Sequence, residues 1–367
     1  MMKKLFLMLC ATALVVACSG SDDSGSGNTD SFDRGAMLTN LADNIIIPAY
    51  QDLDTKLGLL VTAKDAFVAT PNQANLDGFR TSWLNAYKTW QHVEMLNIGK
   101  AEETLYHFQM NVYPASTVDI EANIAAGGYD LTHANNYDAV GFPALDYMLY
   151  GVADTDAAIV EKYSTNPDAA KYTTYLTDLI DRMNSLTGAV VTDWEGAYRA
   201  TFIAGTANTA SSAANKLIND YIFYFEKGLR ANKVGIPAGN FSTTPLPEKV
   251  EAFYNQEVSR ELALEALKAV RNVFEGKGYL TGTAGSSFKT YLDFLNKSEL
   301  ATSINNGFAN AQLEMEGLNN NFYTQVTTDN TKMTETYDAL QTVVVLLKVD
   351  MLQAFNVSVD YVDADGD

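Results

Sequence analysis

The chain has 367 residues, 47% of them hydrophobic and 19% charged, which supplies apolar material for a sizeable core and excludes wholesale disorder. Its formal net charge of −20 excludes a surface that tracks a phosphate backbone, so nucleic acid is not an expected partner. Cysteine occurs only at Cys10 and Cys18, both near the N-terminus. A mature chain lacking the leader and lipidated on Cys18 would have no disulfide, thiolate metal site or cysteine nucleophile.

Residues 1–17 read as a secretory leader. Lys3 and Lys4 form a basic start, and a short apolar run ends in small residues before Cys18. The run is too short to span a bilayer. "VVAC" resembles the lipobox of bacterial lipoproteins, which implies cleavage before Cys18 and lipid on that residue. Residues 18–31 form a Gly/Ser/Asp tether that would reach on the order of 20 Å as a flexible coil. "CSGSDD" resembles an export signal of surface lipoproteins in Bacteroidetes-type bacteria. The expected address is therefore the outer membrane, on its outer face or otherwise facing the periplasm.

From residue 32 the periodicity is helical. Pro48 interrupts "LADNIIIPAYQDL" and should kink or split the first helix. Residues 72–96 place Arg80, Trp83, Tyr87, Trp90 and Glu94 at alternating steps of three and four, one face of a single helix. Charges in line with tryptophans must end at a surface, a pair or a pocket, because unpaired burial is costly. Stretches 211–232 and 248–275 are also periodic, with Pro247 and Glu248 marking a helix start. Leu340, Val343, Val344, Leu347, Met351 and Phe355 repeat the pattern near the end. Gly/Pro-rich loops are expected at 125–130, 164–168, 235–247 and 276–287. The fold class is all-α, and a boundary near residues 187–195 would divide it into two helical bundles, 32–190 and 191–367.

The three histidines, His92, His107 and His133, form no HExxH motif. His92 and Glu94 stand two apart and point different ways on a helix. Glu103 and His107, four apart, could share a cation or make a surface contact. "DADGD" at the C-terminus begins like a calcium loop, but the sequence stops before the bidentate glutamate, so it reads as an acidic tail. There is no G-x-S-x-G elbow, phosphate loop or CxxC, and no catalytic residue is assigned.

Several blocks in order resemble the imelysin family, also called iron-regulated protein A-like. They are "FRTSWLNAYKTWQHVEML" with Arg80, Trp83, Trp90 and Glu94, "NVYPAS", "GFPALDYMLYG" and "YFEKGLRANKVGIPAG" with Glu226, Arg230, Lys233, Gly235 and Pro237, followed by the last two blocks from 251 and 346 onward. The resemblance implies two helical bundles with a pocket between them, an envelope address and a role in iron uptake; the family is also classed as a metallopeptidase. Its G-x-H-x-x-E block centres a metal site, yet here Gly141 is followed by Pro143 and Asp146. Proline offers no lone pair, and aspartate is one methylene shorter than glutamate. If a helix starts here, Pro143 suits its first turn, Phe142 is extended, and Leu145, Met148 and Leu149 face the core.

The expectation is thus a ligand-binding lipoprotein with an altered metal motif. Its pocket residues would be Arg80, Trp90, Glu94, Gly141, Pro143, Asp146, Glu226 and Arg230, with Asp146 and Glu94 as oxygen donors if iron binds. Expected partners are the outer membrane through Cys18, iron or an iron complex, and proteins of a transport system. The alternatives are a metallopeptidase remnant and a non-catalytic interaction protein that kept the fold.

Overall fold

The computed structural model describes residues 30–361. Cys18, the leader, all but the last two residues of the tether and Asp363, Asp365 and Asp367 of the acidic tail lie outside them.

Helices begin where the sequence supplies side-chain acceptors for the first free amides. Asn72 receives Asn75 N–H at 2.9 Å to start Gln73–Trp90, and Ser287 and Thr290 form a capping box at the start of Phe288–Phe294. Gly127 and Gly276 end Thr117–Ala126 and Ser259–Glu275 in the left-handed conformation. Among the described residues there is no strand, only an isolated bridge between Lys277 and Ala284. The all-α class stands.

Residues 31–361 form one compact unit. Ile47–Ala69 packs against both Gln73–Trp90 and Ala169–Asp193. Ser298–Glu316 packs against Ser259–Glu275 and Asn330–Val345, and the last of these lies on Tyr224–Gly235. Ser259–Glu275 also touches Gln73–Trp90, where Lys88 pairs with Glu261 and His92 with Glu265 at 3.0 Å. The boundary expected at 190 falls within the helix Ala169–Asp193. Trp83, Tyr87 and Trp90 are buried, as are all six residues of the C-terminal stripe from Leu340 to Phe355. Each such large side chain contributes about 1.5–3 kcal/mol of burial.

Three local expectations need correction. Pro48 does not split the first helix: a π-turn over Ala42–Ile46 links Arg34–Leu41 to Ile47–Ala69, and the backbone stays helical through it. Gln73–Trp90 stops before Glu94, because the chain tightens into turns after Trp90 and the fully buried Gln91 turns inward to Glu251 at 3.2 Å. Pro247 opens only a short 3-10 turn, Pro247–Lys249, and the long helix begins at Ser259. Between them, Ala252 and Gln256 have positive φ, and two amides of the segment are bound by a carboxylate from elsewhere.

Candidate functional site: a buried lysine between two glutamates, and the cleft beside it

The block 141–151 forms the helix Gly141–Asp146 and a π-turn Tyr147–Gly151. Gly141 has φ +77°, and a Cβ there would stand 2.2 Å from the carbonyl oxygen of Met110, so no side chain fits. The extended residue is Val140, at the N-cap; Phe142 is helical, contrary to the sequence expectation. Starting the helix at Gly141 puts Pro143 in the first turn, where its missing N–H removes an orphan donor. Phe142 stacks flat on Tyr87 at 4.5 Å, and its carbonyl accepts from Trp83 Nε1 at 3.2 Å. Leu145, Met148 and Leu149 are buried as expected.

Asp146 is 1% exposed. Its Oδ2 accepts from the Tyr254 backbone N–H at 2.7 Å and its Oδ1 from that of Asn255 at 2.9 Å. Burial pushes the carboxyl up to about 7, against the pull of the two amides, and the nearby charge of Glu251 adds to the rise. Each oxygen thus accepts one backbone amide. Arg80 braces the same block: it donates to the Leu149 carbonyl at 2.8 Å and to Asp156 at 2.8 Å, and lies 4.3 Å from the Tyr150 ring centre. Trp90 packs in the core edge-on to Tyr106, 5.2 Å away.

The densest buried charge lies one layer further in. Lys233 Nζ stands 2.6 Å from Glu251 Oε2 and 3.5 Å from Glu94 Oε2. Asn111 donates to both glutamates, at 2.7 Å to Glu94 and 2.9 Å to Glu251, while its carbonyl oxygen accepts from Tyr87 at 2.6 Å. Tyr224 donates to Glu94 at 3.0 Å. Burial lowers the Lys233 pKa, but the attraction of Glu251 and Glu94 outweighs it and holds the ammonium above its ordinary value. Burial and the same two negative charges raise Tyr87, Tyr113 and Tyr224, so these phenols stay protonated as donors.

Sequence reasoning finds Glu94 here and misses Glu251, Asn111 and Gln91. Lys233 stands within one of the family-like blocks, with no role assigned to it by spacing. Glu251 has a usable signal in the sequence, a lone acid between the apolar residues Val250 and Ala252.

Two other expected residues, Glu226 and Arg230, form a group of their own, with Arg230 Nη2 3.6 Å from Glu226 Oε1. Glu226 pairs with Lys348 at 3.2 Å. Arg230 donates to Tyr337 at 2.9 Å and to Gln341. Glu94 and Asp146 are each engaged by protein donors. Among the described residues no three His, Cys, Asp or Glu side chains are grouped to hold a metal ion. Glu103 pairs with Lys100 at 2.6 Å and His107 with Asn97 at 3.2 Å, so those two share nothing. The residues present therefore do not fit a bare metal centre built on Asp146 and Glu94.

Glu94 is 13% exposed, against 1% for Lys233, and opens on a cleft of about 580 Å³. That volume lies within the range of small-ligand sites. His107, Phe108, Asp220, Phe223 and Tyr361 also line it. A second recess of about 130 Å³ lies against Pro143 and Asp146 and is walled by Tyr113, Phe253 and Tyr254.

Comparison with known proteins places the fold and the family. The family model for imelysin, classed among peptidases, matches residues 46–348. The sequence is similar to iron-regulated protein A of Synechococcus elongatus, 21% identical over 268 residues that cover 70% of this chain and 69% of that protein. Two crystal structures share the fold. An imelysin-like protein from Psychrobacter arcticum superposes with a TM-score of 0.68 at 19% identity, and a protein from Parabacteroides distasonis, provisionally named an iron-regulated protein A precursor, with 0.70 at 18%. Each comparison covers 90% of this chain and 97% of the other.

Proposed function

Because the chain belongs to the imelysin family, we propose that it is a ligand-binding lipoprotein of iron acquisition, anchored to the outer membrane through Cys18, and that it does not cleave peptides. The observation that carries this reading is the engagement of Asp146. A metallopeptidase needs a metal-held water, nitrogen or oxygen ligands with free lone pairs, and a general base. Here Pro143 has no lone pair to give, and both Asp146 oxygens already accept backbone amides. The block acts as a clamp on residues 254–255 rather than as a reaction centre.

The link to iron is supported by the similarity to a protein named for its regulation by iron. The ligand is iron that arrives with its own donor atoms, since no three metal-binding side chains converge among the described residues. It would sit in the cleft beside Glu94, where the floor is polar and the volume suffices.

The test is calorimetric titration of the full chain with Fe(II) under anaerobic conditions, Fe(III)-citrate and Zn(II), alongside Asp146→Ala and a casein hydrolysis assay. Fe(III)-citrate is expected to bind one to one in both proteins, without casein cleavage. Chelator-sensitive hydrolysis that disappears in Asp146→Ala would establish a peptidase instead. Cys18→Ser is expected to abolish lipid labelling and to release the protein from the membrane fraction.

A further inference from the structure

The cleft beside Glu94 has its own chemistry, separate from the altered block. Its acids are unequally matched. Glu94 is answered by Lys233 and Glu102 by Lys216 at 3.2 Å. Asp220, on Ala213–Phe223, is half-buried, and among the described residues no hydrogen bond or ion pair engages its carboxylate. Lys216, one turn earlier on the same helix, is turned toward Glu102 instead. Asp360 faces Asp220 from the C-terminal segment and adds a second negative charge.

The remaining polar lining is mixed: Lys227 and Asn232 bring donors, and His107 brings an acceptor. Asn97 Oδ1 fixes the His107 ring by taking its Nδ1–H at 3.2 Å, which leaves Nε2 as a lone pair. Burial lowers His107 to about 4, so the ring is neutral at neutral pH. The walls are aromatic and open: Phe108 and Phe223 are each 39% exposed, the first stacked on Tyr137 and the second edge-on to Tyr361. Acceptors and an unmatched carboxylate below aromatic faces suit a donor-bearing cation attached to an apolar body. A bare inorganic ion would make no use of the rings.

We propose that this cleft binds an organic cation, an ammonium or guanidinium on an aromatic or apolar body, with its charge at Asp220 and its body against Phe108 and Phe223. This rests on the reading of the cleft as a ligand site and assigns that site a second class of ligand, distinct from the iron complex. The cation takes the place of a proton. Burial first, then Asp360 and Glu102, push the Asp220 carboxyl up to about 8, with Lys216 pulling the other way. At pH 7 Asp220 is therefore largely protonated, and a bound cation expels that proton.

The probe is tyramine, with 4-ethylphenol as its uncharged counterpart, titrated into the full chain by calorimetry at pH 7 in buffers of different ionisation enthalpy. Tyramine is expected to bind at least tenfold tighter than 4-ethylphenol and to release most of one proton. Asp220→Asn should lose at least tenfold in tyramine affinity and all of the proton release, while its 4-ethylphenol affinity is unchanged. Phe223→Ala, at an exposed position, should weaken both ligands severalfold. Equal binding of the two probes, an Asp220→Asn protein that binds tyramine normally, or no heat at millimolar tyramine with an intact circular dichroism spectrum would each overturn the proposal. A chain that takes up Fe(III)-citrate and ignores tyramine keeps the iron reading and loses this one. The reverse result keeps the cleft and loses the iron.

Discussion

Tyr254 gives its backbone N–H to the Asp146 carboxylate at 2.7 Å, and Asn255 gives its own to the other oxygen at 2.9 Å. One aspartate thus fixes a loop more than a hundred positions away in sequence.

Asp146→Ala is expected to leave two amides without an acceptor and to destabilise the fold by about 2–4 kcal/mol. Asp146→Asn keeps one acceptor but sets its NH2 against an amide, and should fall between wild type and alanine. Urea denaturation of the three proteins measures this. A loss under about 0.5 kcal/mol in Asp146→Ala would mean the clamp is incidental.

Lys233 answers two buried glutamates. Lys233→Met should cost about 3–5 kcal/mol, because it strands Glu251 and Glu94 without a counter-charge. Adding Glu251→Gln should restore at least half of that loss, since the uncompensated charge then largely disappears. A double-mutant cycle in guanidinium chloride reads the coupling directly. Strictly additive losses would contradict the arrangement.

Two glycines with positive φ separate backbone strain from crowding. Gly127 has φ +67° and open space where a Cβ would stand, whereas a Cβ on Gly141 at φ +77° would meet Met110. Gly127→Ala is expected to cost about 1 kcal/mol and Gly141→Ala clearly more, by thermal melting of both variants. Equal costs would mean that Met110 yields freely.

The acid side of the stability profile should carry the mark of His107. Its imidazole titrates at 6.5 when unperturbed and at about 4 in the fold, because burial disfavours the cation. Between those values the unfolded chain binds the extra proton, so stability rises with pH across this window and is lost on acidification through it. The loss is on the order of 2 kcal/mol, allowing for partial solvent access. His107→Gln should remove it, which urea midpoints at pH 7, 5.5 and 4 would reveal as a growing difference between variant and wild type.

Periodicity made the apolar framework legible. Trp83, Tyr87 and Trp90 are readable as a buried stripe because the helix repeats every 3.6 residues, and the same holds for Leu340 to Phe355. The pocket is far less legible. Arg80 and Glu94 lie on that stripe by spacing, yet the helix ends between them, and one braces Leu149 while the other meets Lys233. What ends the regular run is a tertiary demand, the inward turn of Gln91 toward Glu251, which no local propensity encodes. Glu251 itself sits in a segment whose composition reads as helix. Its neighbours Tyr254 and Asn255 give their amides to Asp146 instead of to a helical turn, a competition invisible without the fold.

The long-range reach of these polar contacts bears on how the gene could be divided. Asp146 and Glu94 come from the first half of the chain, and the groups they hold, residues 254–255 and Lys233, from the second. A cut between residues 205 and 212 would give one fragment in which Asp146 loses both its donors and Glu94 keeps Asn111 but loses Lys233, and another that keeps Lys233 with Glu251 but loses the acceptor for its loop. Neither should be soluble alone, and co-expression should rescue both, which makes the protein a natural split reporter whose reassembly is driven by charge as well as by oil.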